Sequence, residues 1–268
     1  MSAAEAKGVT IITSTMRPQH IHQIFQNYAR QDWDQKELII IVNNDKAGLG
    51  QYVKKAKSYP NVQVFRMAES AKLGACLNYA ASLAKHEYIA KFDDDDYYGA
   101  NYIPEAMAMF QTSKADIVGK LEIYYFFPHR STLMLRKKRV TWYAPCSKVA
   151  GATIMFHKRV LEKVSFNTEV RQGSDVRFIR GALNNKFKLF TTSPYNFTAL
   201  RRADRRTHTW KITDRHLLRG KGNVITRTAY YRKHVNRTMQ QLRALGLKRP
   251  NSTNATNHSN SSNATGVQ

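Results

Sequence analysis

Four consecutive aspartates, Asp93 to Asp96, follow the apolar run Tyr88-Ile89-Ala90-Lys91-Phe92 and precede Tyr97-Tyr98. Adjacent carboxylates repel one another and are tolerated where water or a cation neutralises them. At the end of a buried strand such a cluster can hold a divalent metal through hard oxygen ligands. On an exposed loop the same run is simply solvated. A second acid stands apart from the cluster. Asp175, in Gly173-Ser174-Asp175, lies in a strongly basic half of the chain with few other carboxylates. There it can act as a general base, and it can equally cap the helical stretch 176–183. Arg201, Arg202, Arg205, Arg206 and Lys211 offer a clamp for phosphates or a solvated basic face. Tyr124, Tyr125, Trp142 and Tyr143 can stack on sugar rings or belong to the core.

The elements that must position these residues alternate between two periods. Gly8–Ser14, Glu37–Val42, Val62–Phe65 and Glu87–Phe92 are continuous apolar runs and read as buried strands. Between them, Ile21, Ile24, Phe25 and Tyr28 recur at helical spacing after Pro18, Gly48–Ser58 reads as a helix, and Leu73, Cys76, Leu77, Ala80 and Ala84 mark another. Strand–helix alternation with apolar strands predicts a mostly parallel sheet covered on both faces. In such sheets ligands bind beyond the carboxyl ends of the strands. That rule gathers Thr13-Ser14-Thr15, Asn43-Asn44-Asp45 and the four aspartates on one rim, which points to a nucleotide site. Beyond residue 120 the expected elements are strands at 121–128, 151–156 and, last, 187–192. Helices are expected at 158–164 and 176–183, and a basic helical stretch over 212–246. From Pro250 the chain is low in complexity and reads as disordered. Asn251, Asn254, Asn257, Asn260 and Asn263 each open an N-x-[ST] triplet there.

Size and composition narrow the possibilities. The 268 residues, 42% apolar and 11% aromatic, suffice for a large core. No window approaches 18 uninterrupted apolar residues, which argues against a membrane span. The first residues lack a signal-peptide pattern, so the expectation is cytoplasmic, with association to a membrane or spore surface left open. Two cysteines, Cys76 and Cys146, make no disulfide framework or zinc spacing and are expected to be buried. The net charge of +24 is one-sided: residues 1–120 hold 14 Lys and Arg against 13 Asp and Glu, and residues 121–268 hold 29 against 6. That field favours a polyanion: nucleic acid, an anionic glycan, a nucleotide phosphate or an acidic membrane surface.

The first strand ending in TS, the strand ending in NND, the FDDDDYY segment and the later VTWYAPC, GATIMF, LEKV and GSDVRF segments resemble the family-two nucleotide-sugar glycosyltransferases of GT-A fold. Within them the similarity is to the bacterial spore-coat polysaccharide group. The resemblance spans about residues 8–215. It implies a nucleotide-sugar-binding half over 8–120, an acceptor-binding and catalytic half over 121–212, a C-terminal extension over 213–249 and a tail over 250–268. Carried over by position, Thr13 and Ser14 touch the nucleotide. Asn43 and Asn44 stand where the family has an Asp pair that reads the base, with Asp45 beside them. Lys72 contacts the diphosphate or base. The DxD element falls on Asp93 and Asp95, with Asp94 between. Asp95 is the main ligand of Mg²⁺ or Mn²⁺, and Asp93 meets the ribose or a metal-bound water. Asp96 is a second ligand or a helix cap. His208 completes the metal shell, and Asp175 is the base. The implied reaction is inverting transfer from a UDP- or dTDP-linked sugar to a glycan or anionic polymer. The alternative is a non-catalytic binder of anionic polymer or nucleic acid.

Overall fold

The computed structural model describes residues 7–136, 141–204, 212–219 and 222–249. His208, Arg205, Arg206, Lys211 and the Asn-rich tail lie outside the described residues. Thirteen strands are present among the described residues: β1 (Val9–Thr15), β2 (Lys36–Val42), β3 (Val62–Arg66), β4 (Tyr88–Lys91), β5 (Tyr97–Tyr98), β6 (Ile117–Gly119), β7 (Ile123–Phe127), β8 (Thr132–Arg136), β9 (Ala144–Pro145), β10 (Met155–His157), β11 (Leu189–Thr191), β12 (Phe197–Leu200) and β13 (Gly222–Arg227). The main helices are α1 (Ile21–Arg30), α2 (Leu49–Ala56), α3 (Leu73–Ser82), α4 (Tyr102–Thr112) and α5 (Ser174–Asn184).

An eight-stranded sheet runs β3-β2-β1-β4-β10-β6-β11-β9. Its first four strands are parallel, as their unbroken apolar runs require. β10 then enters antiparallel between β4 and β6, β11 returns parallel to β6, and β9 closes the edge antiparallel. Successive side chains of a strand point to opposite faces. Accordingly, Val9 and Ile11 of β1 and Leu38, Ile40 and Val42 of β2 join the core that contains α1 and α4. Ile12, Ile39 and Ile41 join the core of α3 and α5. Helices thus cover both faces. α3 approaches its face closely through Gly74, Cys76, Ala80 and Ala81, all buried. At Gly74 a Cβ would run into the backbone oxygen of Asn167, which leads toward α5.

A second sheet, β13-β8-β7-β12-β5, was not legible in the sequence. The strand expected at 121–128 belongs to it as β7. The stretch expected to be helical over 212–246 holds short helices at Asp214–Arg219, Arg232–Val235 and Met239–Ala244, but also β13, antiparallel to β8. Residues 213–249 are therefore knitted into the fold by a strand. Apolar Val224 and Ile225 are explained by pairing, not by a helix face. The 151–156 stretch is a 3₁₀ turn followed by the shorter β10, and β11 is followed by two further strands, so it is not the last. Cys76 is buried, whereas Cys146 is only half-buried; both are free thiols.

Lys120 and Glu105 form an ion pair at 2.7 Å with both side chains at 1% exposure or less, tying α4 to the end of β6. Lys120 Nζ also donates to Thr192 Oγ1 and the Ser193 carbonyl, while Glu105 Oε1 accepts from Tyr143 OH and the Ser193 amide. Removing one partner of such a pair strands the other. Lys120→Met is expected to lower the unfolding free energy by about 3–5 kcal/mol, read from urea denaturation.

Candidate functional site

The four aspartates are the link between the two sheets: they leave β4 and enter β5. They sit where the order turns from β2-β1 to β1-β4, so that β1 and β4 lead apart, the usual crevice for a ligand in an open α/β sheet. Each carboxylate faces a different neighbour. Asp94, 3% exposed, accepts from Thr15 Oγ1 at 2.6 Å and is gripped by Arg17 through Nε and Nη2. Asp95 Oδ2 pairs with Arg17 Nη1 at 2.9 Å and with Arg202 Nη1 at 3.3 Å. Asp93 Oδ1 takes Lys91 Nζ at 2.6 Å. Asp96 is buried and accepts the Leu200 amide of β12, while its carbonyl accepts from Gln23 and Asn27 of α1. Asp96 therefore caps no helix, since α4 starts after Asn101. Its role is to fasten the second sheet to the rim.

Tyr98 stiffens the turn. Its ring stacks on Phe92 at 3.7 Å, and its hydroxyl accepts the Asp93 amide and donates to the Ala152 carbonyl. Asp175 arrives from the other half of the chain, in the first turn of α5 behind Gly173. The N-cap position belongs to Gly173, so the capping role is not filled by Asp175. Its Oδ2 lies 3.4 Å from Lys91 Nζ, and its Oδ1 is buried without a hydrogen-bond partner among the described residues. The base candidate and the aspartate cluster, eighty residues apart in sequence, thus meet at one ammonium group.

The electrostatics differ sharply between neighbours. Burial pushes the Asp94 carboxyl up to about 6 against the pull of Arg17, with Asp95 adding to the rise. Burial would raise Asp95 as well, but Arg17 and Arg202 outweigh it and hold Asp95 below its ordinary value. Burial, followed by the charges of Asp95 and Asp93, lifts Asp96 well above the usual carboxylate range. For Lys91, burial favours the neutral amine, yet Asp175 and Asp93 prevail and raise it. Burial together with Arg202 and Arg17 lowers His20 to about 4, so this imidazole beside the cluster is neutral at pH 7.

The remaining rim residues take up varied positions. Thr13 is buried in β1 and Ser14 half-buried; the hydroxyl that meets the aspartates is that of Thr15. Asn43 is buried and donates to the Ala68 carbonyl. Asn44 donates to the Met16 carbonyl and accepts from the amides of Lys46 and Ala47, which joins the loops after β1 and β2. Asp45 is exposed and accepts the Glu69 amide. Lys72 occupies the N-cap of α3 without a side-chain cap bond. Among the aromatics, Tyr124 and Tyr125 are core residues, Trp142 donates to Glu122 and Tyr143 to Glu105. Sequence reasoning missed Arg17, Lys91, Tyr98 and Gly151. A lysine inside a buried strand was a signal for Lys91, because a buried ammonium demands anions. Nothing in the sequence marks Arg17 as their partner.

The described residues contain no trio of His, Cys, Asp or Glu side chains able to enclose a metal, and no helix long and apolar enough to cross a membrane. No curated protein matches the chain. Among solved structures, the fold is similar to S. aureus TarS 1-349 in complex with UDP-GlcNAc, with a TM-score of 0.61 at 17% identity over 77% of this chain and 62% of that one. It is also similar to the mannosyltransferase PcManGT from Pyrobaculum calidifontis in complex with GDP-Man and Mn²⁺, with a TM-score of 0.57 at 16% identity over 76% and 59%. The chain thus spans less than two thirds of each. At these identities the likeness establishes the fold, a mixed α/β architecture of GT-A type with helices on both faces of the central sheet. The model of glycosyl transferase family 2 matches residues 10–206, from β1 through the aspartates and Asp175 to Arg202. A match over that much of the chain makes it a member of glycosyl transferase family 2.

Proposed function

We propose that the chain transfers a sugar from a nucleoside diphosphate to a hydroxyl of a glycan or surface polymer, with inversion at the anomeric carbon. The observation that carries this reading is the convergence of Asp93 and Asp175 on Lys91 Nζ, at 2.6 and 3.4 Å. Convergence of this kind places a donor-side acid and a candidate base at one crevice. In the reaction the acceptor oxygen attacks the anomeric carbon as its bond to phosphate breaks. The diphosphate leaves with that electron pair, and Asp175 takes the acceptor's proton. A single displacement inverts the centre.

Mg²⁺ or Mn²⁺ fits the donor set present. Asp95, with Asp93 beside it, offers hard oxygens, and such ions at phosphates need only one or two carboxylates, the rest being water and phosphate oxygens. His208 would be the further ligand. The ion would supply positive charge for the leaving diphosphate. Arg17 and Arg202 neutralise Asp95 in the free chain, so a metal ion there competes with guanidinium groups. Thr13, Ser14, Asn43, Asn44, Asp45 and Lys72 are assigned to the nucleoside and diphosphate side, with Asp94 beneath them as the anchor of Arg17. PcManGT was crystallised with GDP-Man and Mn²⁺ and TarS with UDP-GlcNAc, so the donor class is a nucleotide-sugar, and a UDP- or dTDP-linked one is our reading. The second half, residues 121–212, holds the acceptor. A spore-coat type polysaccharide and a cytoplasmic enzyme that meets an anionic polymer or membrane face agree with the basic second half.

Calorimetry with UDP, dTDP and GDP, each with and without Mn²⁺, tests the proposal. Metal-dependent binding of one of them is expected. Absence of binding to all three in Mn²⁺, together with retention of a polyanion such as heparin, would favour the non-catalytic binder instead.

A further inference from the structure

β4 is buried along its whole length, and within it Lys91 is 1% exposed. Burying an ammonium is costly and persists only where anions and acceptors surround it. Lys91 Nζ has three such partners: Asp93 Oδ1 at 2.6 Å, the Gly151 carbonyl at 3.2 Å and Asp175 Oδ2 at 3.4 Å. The two carboxylates come from distant parts of the chain, one just after β4 and the other in the first turn of α5. Asp175 needs this partner. Its Oδ1 is buried with no hydrogen bond among the described residues, so the charge compensating this carboxylate comes from Lys91 on Oδ2. Gly151 completes the seat. A Cβ at that position would run into Asp175 Oδ2, so only a glycine lets the carboxylate settle against the Lys91–Gly151 contact.

We infer that Lys91 is a positioning residue for the transfer step: it seats the base Asp175 against Gly151 and holds it in register with Asp93, without itself touching donor or acceptor. The inference rests on the glycosyltransferase reading above. A lysine that served only to fill the core would affect stability, while this one fixes the distance between the acid on the donor side and the base. Misplacing a catalytic group by about 1 Å can cost about 10²-fold in rate.

The test uses the full chain, its Mn²⁺-dependent release of nucleoside diphosphate from UDP-, dTDP- and GDP-sugars, and nucleotide binding by calorimetry. Lys91→Met removes the ammonium at similar volume. Gly151→Ala displaces Asp175 from the other side and leaves Lys91 in place. Both are expected to lower kcat by about 10²-fold while nucleotide affinity stays within about threefold. Lys91→Met combined with Asp175→Asn is expected to be no slower than Asp175→Asn alone, because residues that act as a unit are non-additive. Melting curves show whether each variant is folded; if Lys91→Met is not, Gly151→Ala carries the test. Full turnover by the folded variants, or additive losses in the double variant, would overturn the role of Lys91 and leave the enzyme reading intact. Loss of nucleotide binding in Lys91→Met with normal turnover in Gly151→Ala would also overturn it, since Lys91 would then act through Asp93. No turnover of any donor by the unaltered chain would overturn the enzyme reading itself, and this inference with it.

Discussion

Asp95→Ala is expected to abolish metal-dependent nucleotide binding and to lower donor turnover by at least about 10³-fold, since charge neutralisation by a metal at a leaving diphosphate is worth several kcal/mol. The fold should survive the change. Arg17 keeps its two contacts to Asp94, and neither Asp94 nor Asp96 depends on Asp95 for a hydrogen bond. Removing Asp95 instead relieves the like charge that helps to raise both neighbours. The melting temperature is therefore expected to hold or rise slightly while activity vanishes, the trade-off typical of a site built from strained charges. The pH dependence has a definite sign. Asp94 has a folded value of about 6 against an ordinary 3.8. In that window the folded chain binds the extra proton, so its contribution makes stability fall as pH rises toward 6. Any gain in Asp95→Ala should accordingly be larger at pH 7 than at pH 4.5. Scanning calorimetry at the two pH values, with nucleotide titration in Mn²⁺, checks both halves. A variant that still bound nucleotide only with metal would refute the assignment of Asp95.

Asp175→Asn is expected to reduce transfer by about 10²–10⁴-fold, the usual contribution of a general base. Nucleotide binding with Mn²⁺ should remain, because Asp175 stands in α5 and none of its contacts involves the β1, β2 or α3 ends of the rim. The substitution is nearly isosteric, so the close approach to Gly151 is kept. Stability should fall slightly, as the first turn of α5 loses a negative charge worth about 0.3–1 kcal/mol and Lys91 loses one of its two anions. Single-turnover measurement of sugar transfer, paired with calorimetry, separates the chemical step from binding. Unaltered transfer by a folded Asp175→Asn chain would remove Asp175 as the base.

What could be read from the sequence and what could not follow a physical line. The unbroken apolar runs of β1, β2 and β4 can only be strands covered on both faces, so the parallel half of the sheet and the rim at its carboxyl end were legible. Period-3.6 spacing in α1 announced its buried face in the same way. β5, β9 and β11 have no such signal, being two or three residues long. β13 was hidden for another reason: Val224 and Ile225 lie in a basic stretch with helix formers around them. Their strand state depends on pairing with β8, about ninety residues earlier. Long-range pairing of this sort overrides local preference.

The candidate site divides along the same line. Residue types and local context alone determined that Asp93 to Asp96 end a buried strand, that Asp175 is an isolated acid, and that a polar rim faces a ligand. Tertiary structure alone decided which carboxylate does what. Four adjacent aspartates are chemically equal on paper; they become different because Arg17, Arg202, Lys91 and the Leu200 amide approach from separate parts of the chain and each meets one or two of them. The same holds for Lys91, whose buried charge was visible in β4 but whose two anions are brought to it by folding. Electrostatic roles are set by distance and burial across the fold.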